Sequence, residues 1–212
     1  MDEYRTCAKE AESEFTEKKS RFIGRIRPVQ TEEEARAFLE SVRRQNHDAR
    51  HHCWCYRLKD GTVRYSDDGE PQGTAGQPML AVFEHEEITD FICVVTRYFG
   101  GILLGTGGLT RAYSKSAKDA LTQAGIAQNC VWDCLEIRSN YSLFEQIKVK
   151  LFSKNAVIED VQYGEMIVIC ALCAADKTES LSQELCELSG GTVVPTVTKQ
   201  TYRAVLISDT DA

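Results

Sequence analysis

Thr96-Arg97-Tyr98-Phe99-Gly100-Gly101-Ile102-Leu103-Leu104-Gly105-Thr106-Gly107-Gly108-Leu109-Thr110-Arg111-Ala112-Tyr113 sets five glycines between two ordered segments. Ahead of it, Phe91-Ile92-Cys93-Val94-Val95 is an apolar, β-rich run that reads as a buried strand. Behind it, Ala112, Lys115, Ser116, Asp119, Ala120 and Leu121 read as a helix. Glycine lets a backbone take positive φ and lets a ligand or another chain come close. A glycine loop that opens a helix also offers unpaired N–H groups to an anion. Two readings follow: an anion- or polymer-binding loop, or a tight strand-to-helix turn that needs glycine only for packing.

The loop matches neither common nucleotide fingerprint. Gly100 to Gly105 has the P-loop spacing, but Thr106 and Gly107 stand where Lys and Ser or Thr are required. Gly105 and Gly107 begin a G-x-G-x-x-G pattern, but Thr110 occupies its third position.

Working outward, residues 8–29 form a predicted hairpin. Thr31 with Glu32, Glu33 and Glu34 makes a capping box, and Ala35, Phe38, Leu39 and Val42 mark the buried face of the helix behind it. A strand over 51–58, a turn at Lys59-Asp60-Gly61, a short strand over 62–65, a polar loop over 66–76 and a helix over 77–84 complete the first half. A second unit starts near Cys130. Strands over 131–139, 156–162, 166–173 and 192–207, with helices over 143–152 and 180–188, give a β-α-β-β-α-β, ferredoxin-like order. The expected domains are 1–128 and 129–212, joined by a short linker around Gly125 to Asn129.

The 212 residues carry 42% hydrophobic and 27% charged side chains, enough apolar material for a packed core. The net charge of −7 argues against a protein that coats nucleic acid generally, though not against a local basic face. Residues 1–128 hold 18 Lys/Arg against 20 Asp/Glu, and the rest hold 7 against 12, so any basic surface belongs to the first half. The start is polar and no apolar run approaches a membrane span, so no signal peptide and no membrane partner are expected. Nine cysteines without an export signal read as reduced, mostly buried thiols in the cytoplasm.

Three long motifs carry a resemblance: Ser20-Arg21-Phe22-Ile23-Gly24, Asp67-Asp68-Gly69-Glu70-Pro71-Gln72-Gly73-Thr74-Ala75-Gly76, and Arg97 through Leu109. With them the sequence resembles bacterial two-domain members of the IMPACT/YigZ family. The resemblance implies an α+β protein. Its first domain would be like the second domain of a small-subunit ribosomal protein and like domain IV of elongation factor G. Its second would be like domain V of that factor. Eukaryotic relatives regulate translation by competing for the activator of an amino-acid-starvation kinase. They do so with an extra N-terminal domain that has no counterpart here, so that partner is not carried over.

Each candidate site has a plainer alternative. Asp67, Asp68 and Glu70 offer hard oxygen ligands for a divalent cation, but the calcium-loop spacing is absent. The preferred reading is a loop whose Asp67 or Asp68 caps its own backbone amides. His51, Cys53 and Cys55 share a strand face but lack a fourth ligand, and Cys170 and Cys173 point to opposite faces. No metal and no cofactor are expected. His47, His51, His52 and His85 are possible bases, yet no nucleophile motif accompanies them, so no catalytic residue is assigned.

Basic residues gather more suggestively. Lys18, Lys19, Arg21, Arg25 and Arg27 crowd the hairpin, and Arg97, Arg111, Lys115 and Lys118 flank the glycine loop beside Tyr98, Phe99 and Tyr113. Guanidinium groups, amides and flat rings are what a phosphate-backbone or single-stranded RNA site uses. Lys18 and Lys19 are assigned to an ordinary solvent face. The predicted phosphate or nucleic-acid site is Arg97, Gly100, Gly101, Gly105, Gly107, Gly108, Arg111 and Lys115. The leading expectation is a non-enzymatic, translation-linked binding protein that contacts RNA or the ribosome. An enzyme acting on a phosphorylated small molecule at the glycine loop is the alternative, and a scaffold for a regulatory protein is the third.

Overall fold

A computed structural model describes residues 3–206. The protein is α+β, with two antiparallel sheets and, among the described residues, five helices. Two compact units divide at Gln128 and Asn129, one built on Tyr4–Gln128 and the other on Asn129–Arg203.

In chain order the first unit holds β1 (Tyr4–Cys7), β2 (Ala11–Glu17), β3 (Ser20–Pro28), α1 (Glu32–Gln45), β4 (His51–Arg57), β5 (Val63–Ser66), α2 (Gly76–His85), β6 (Phe91–Tyr98) and α3 (Thr106–Ala124). Its sheet runs β2-β3-β6-β4-β5 with every neighbour antiparallel. The β2–β3 hairpin closes on Lys18 and Lys19, both at positive φ (45° and 66°), the twist that suits a two-residue hairpin turn. Thr31 caps α1 through its hydroxyl, which accepts the Glu34 N–H at 3.2 Å. Glu34 returns the bond one residue earlier than a capping box predicts, accepting the Gln30 N–H at 2.7 Å. The predicted stripe Ala35, Phe38, Leu39 and Val42 is buried.

Helix α1 covers one face of this sheet with Val29, Tyr56, Ile92 and Val94, while α2 and α3 cover the other with Phe22, Cys53, Cys55, Cys93 and Val95. β6 is therefore central and buried on both sides, which explains its unbroken apolar run. α3 packs closely on the sheet at Gly24, where a Cβ would come within 2.6 Å of the Ser116 carbonyl oxygen.

Two boundaries around the glycine loop differ from the sequence reading. β6 extends three residues past Val95, and α3 begins at Thr106, so Gly107 and Gly108 lie in the helix rather than in a loop. Tertiary packing overrides the low helix propensity of glycine here: Leu109, Ala112 and Tyr113 already anchor that end.

The second unit follows the expected β-α-β-β-α-β order with β7 (Ile126–Ser139), α4 (Phe144–Ser153), β8 (Val157–Tyr163), β9 (Ile167–Ala174), α5 (Ala175–Leu188) and β10 (Thr196–Leu206). Its strands run β8-β9-β7-β10. Leu135, Ile137, Ile147, Leu151, Ile167, Ile169, Leu181 and Leu185 form its core. The stretch expected as a linker is largely strand, since β7 starts at Ile126. Ile207, the expected end of the last strand, lies outside the described residues.

Candidate nucleic-acid interface

The site lies where β6 ends and α3 begins, and its foundation is buried. Arg97 continues the row Cys93, Val95 toward the helical face of the sheet and is only 6% exposed. Its Nη1 donates to Glu70 Oε1 at 2.7 Å and its Nη2 to Ser20 Oγ at 3.4 Å. Its Nε has no hydrogen-bond partner among the described residues. Glu70 also accepts the Tyr113 hydroxyl at 2.7 Å. Burial pushes the Tyr113 phenol far above its usual range, so it stays a neutral donor. The Arg97 guanidinium lies 5.6 Å from the Phe22 ring and 5.5 Å from the Phe99 ring.

The acidic loop 66–76 serves this foundation. Asp67 accepts the N–H groups of Gly73, Ala75 and Gly76 at 2.8, 3.0 and 2.9 Å, holding the start of α2. Asp68 accepts the His52 N–H at 2.7 Å and meets Arg43 at 3.3 Å. With Glu70 turned inward to Arg97, all three carboxylates are engaged by the protein. Among the described residues no group of three or more His, Cys, Asp or Glu comes together to hold a metal.

Above the foundation sits the glycine loop. Phe99 is 49% exposed, while Arg97 takes the inner place with its guanidinium 5.5 Å from the ring. Leu103 is 82% exposed and Ile102 is exposed as well. Gly100 donates its N–H to Ser20 Oγ at 3.2 Å, and a Cβ there would fall 2.0 Å from the Lys19 backbone, so the loop lies against the Lys18–Lys19 turn. Gly101 and Gly105 are held at φ 84° and 73°.

α3 then starts without a side-chain cap and without an acidic residue in its first turn. The amides of that turn, which an α-helix leaves unpaired, are thus not taken by a cap. Arg111 Nη1 lies 3.9 Å from the place a Cβ on Gly107 would occupy, so its guanidinium folds back along that turn. The structure therefore brings together Gly100, Gly101, Gly105, Gly107, Gly108 and Arg111 at the surface. Arg97 lies beneath them, and Lys115, two turns along α3, pairs with Asp119.

The hairpin arginines are not a free basic patch. Arg21, Arg25 and Arg27 pair across the strands with Glu14, Glu12 and Glu10, each at 2.6 Å. His52 Nδ1 is 3.1 Å from Thr96 Oγ1, both residues are buried, and burial lowers the imidazole pKa. All nine cysteines are free thiols, six of them buried.

Sequence reading missed Ser20, Phe22 and Glu70 as partners of Arg97. Strand alternation through Cys93 and Val95 was the available signal for its burial; nothing local pointed to Glu70, which is distant in sequence.

Residues 18–121 match the Impact N-terminal domain, and residues 137–192 match a domain of unknown function, DUF1949. IMPACT family member YvyE of Bacillus subtilis (strain 168) is 34% identical over 193 residues, 90% of this chain and 89% of that protein. The chain belongs to the IMPACT family. Its family member YigZ of Escherichia coli (strain K12) is 37% identical over 180 residues, 83% of this chain and 88% of that protein. A solved structure described as that of a hypothetical protein superposes with a TM-score of 0.60 at 32% identity, covering 94% of this chain and 98% of that one. No helix among the described residues is long and apolar enough to cross a membrane.

Proposed function

We propose that this IMPACT family protein is a non-enzymatic, translation-linked binding protein of the cytoplasm, and that its first unit binds single-stranded RNA, free or on the ribosome. Gly107 is the observation that carries this reading. The other loop glycines have structural reasons: close packing at Gly100 and Gly108, positive φ at Gly101 and Gly105. Gly107 is helical, and its Cβ would meet only the end of the flexible Arg111 side chain. Glycine is disfavoured relative to alanine in a helix, by up to about 1 kcal/mol in an interior and less in a first turn such as this. Close approach of an outside group to the first-turn amides gives that glycine a purpose. Arg111 and the exposed Lys18–Lys19 turn supply positive charge around it, and Phe99 supplies a flat face for a base.

The translation link rests on reading the first unit as like the second domain of a small-subunit ribosomal protein and domain IV of elongation factor G. The second unit, with its β8-β9-β7-β10 order, is read as ferredoxin-like and like domain V of that factor. The test is fluorescence anisotropy with a labelled single-stranded RNA across a salt series, alongside co-sedimentation with ribosomal subunits. Affinity should fall steeply with salt. The Lys18→Ala/Lys19→Ala/Arg111→Ala variant should lose it while remaining folded. Unchanged binding in that variant rejects the site. If RNA does not bind but a phosphorylated small molecule does, the same uncapped helix end would favour the enzyme reading.

A further inference from the structure

The last strand of the second unit is supported along one edge. β10 pairs with β7, and over Thr196–Arg203, the part of β10 within that unit, side chains tie it there. Thr198 Oγ1 donates to the Cys134 carbonyl at 3.0 Å, and Gln200 Nε2 donates to Asp133 Oδ1 at 2.9 Å. Thr196, Val197, Thr198, Lys199 and Gln200 are exposed in succession, and no residue of the strand is buried. Neither alternating row of β10 is therefore packed under a helix. Over these exposed residues the edge away from β7 presents backbone N–H and C=O groups to solvent, a template for a further strand.

Among the described residues, the other edge strands are guarded. β1 and β5 have four residues each. β2 carries Glu12, Glu14 and Glu17. β8 is broken by a bulge between Ile158 and Asp160 and exposes Glu159 and Asp160. Shortness, charge and bulges are the usual means of blunting an edge. β10 is eleven residues long and rich in β-formers, with Thr196, Val197, Thr198, Thr201, Tyr202 and Val205. Its charges are Lys199 and Arg203, with no Asp or Glu between Thr196 and Leu206. Four residues apart, the two cations share a face of the sheet, the face on which the Arg203 guanidinium lies 5.3 Å from the Trp132 ring of β7. A second copy of this strand, paired antiparallel about Thr201, would set Lys199 opposite Arg203, and like charges directly opposite destabilise. A strand with carboxylates along that face would instead meet both cations.

We propose that the outer edge of β10 over Thr196–Arg203 is a docking site for an extended acidic segment of a partner protein, added to the sheet as a further strand. Backbone hydrogen bonds supply affinity, and Lys199 and Arg203 select for acidic residues at alternate positions. The site lies in the second unit and does not rest on the RNA reading.

The probe is a capped peptide of alternating glutamate and valine, about eight residues long to match the segment, titrated into the full ¹⁵N-labelled chain. Saturable shifts and slowed amide exchange should centre on Thr196–Arg203. The same peptide methylated at every backbone nitrogen cannot donate to the edge and should not bind. A peptide of alternating lysine and valine should bind at least about tenfold more weakly than the glutamate one. Lys199→Glu/Arg203→Glu, both at exposed positions, should reverse that preference. Should that variant misfold, Lys199→Glu alone should narrow the preference by about threefold. No saturable shift at millimolar probe, equal binding of the methylated or the lysine peptide, or an unchanged preference in the folded variant would each overturn the proposal. Self-association of the free chain that protects the same amides would give the edge to a second copy and would overturn it too.

Discussion

One oxygen of Glu70 lies 2.7 Å from Arg97 Nη1 and 2.7 Å from the Tyr113 hydroxyl, so a single buried carboxylate ties the end of β6 to α3. Both partners of the ion pair are almost wholly enclosed. In such a place the loss of one partner leaves an uncompensated charge, whereas loss of both leaves an apolar site.

Glu70→Ala should therefore destabilise the first unit by about 3–5 kcal/mol, and Arg97→Ala by a similar amount. Glu70→Leu combined with Arg97→Met should recover much of that loss. Urea unfolding of the four proteins gives the cycle. Additive losses in the double variant would mean that the pair is not coupled as the geometry requires.

The glycines separate packing from binding. Gly100→Ala places a carbon 2.0 Å from backbone that has no room to yield, and overpacking of this kind costs about 1–3 kcal/mol. Gly107→Ala meets only the tip of the Arg111 side chain at ordinary contact distance and should stabilise α3 by up to about 1 kcal/mol. On the proposed function it should also weaken RNA binding, because its methyl group stands beside the first-turn amides. Greater stability with unchanged RNA affinity would leave Gly107 without a binding role.

The thiols should differ in reactivity. Burial pushes the Cys7 thiol up to about 12 and raises Cys53, Cys55 and Cys93 further. Burial also raises Cys130, Cys170 and Cys173, and the partly exposed Cys130, Cys170 and Cys186 should label before the buried thiols under native conditions at pH 8. A thiol raised in the folded state ionises more readily when unfolded. Its stabilising effect is intact below pH ~9 and declines as pH rises toward 12. Mass spectrometry after iodoacetamide, and urea midpoints at pH 8 and 10.5, check the two statements. Early labelling of Cys55 or Cys93, or a midpoint no lower at pH 10.5, would contradict them.

The elements legible in the sequence were those with strong local signals. α1 announced itself through Thr31 and its apolar stripe, and the second unit through alternating strands and helices. The start of α3 was not legible, because Gly107 and Gly108 oppose helix locally and only packing of Leu109 and Tyr113 fixes them there. The β7 boundary failed for a related reason: Gly125 marks the end of α3, and the polar pair Gln128-Asn129 interrupts the apolar residues on either side of it. At the candidate site, charge and glycine content marked the turn between β6 and α3. They did not reveal which arginine faces out, since that depends on Glu70 reaching Arg97 from 27 positions away.

Phe99 gives the sharpest division between core and surface. Its ring lies 5.5 Å from the Arg97 guanidinium and is 49% exposed, whereas Phe22, 5.6 Å from the same guanidinium, is fully buried. Phe22→Ala should cost about 3–5 kcal/mol of stability. Phe99→Ala should cost much less, within about 1 kcal/mol, the value of an exposed cation–π contact. If a base stacks on the outer face, the same Phe99→Ala change should weaken single-stranded RNA binding by about 1–3 kcal/mol. Phe99→Tyr should restore it, and Phe99→Leu, which keeps the bulk without the flat ring, should not. The pattern needs stability and affinity measured on the same preparations. Equal affinity for alanine, leucine and tyrosine at this position would remove the stacking role while leaving phosphate contacts at Arg111 intact.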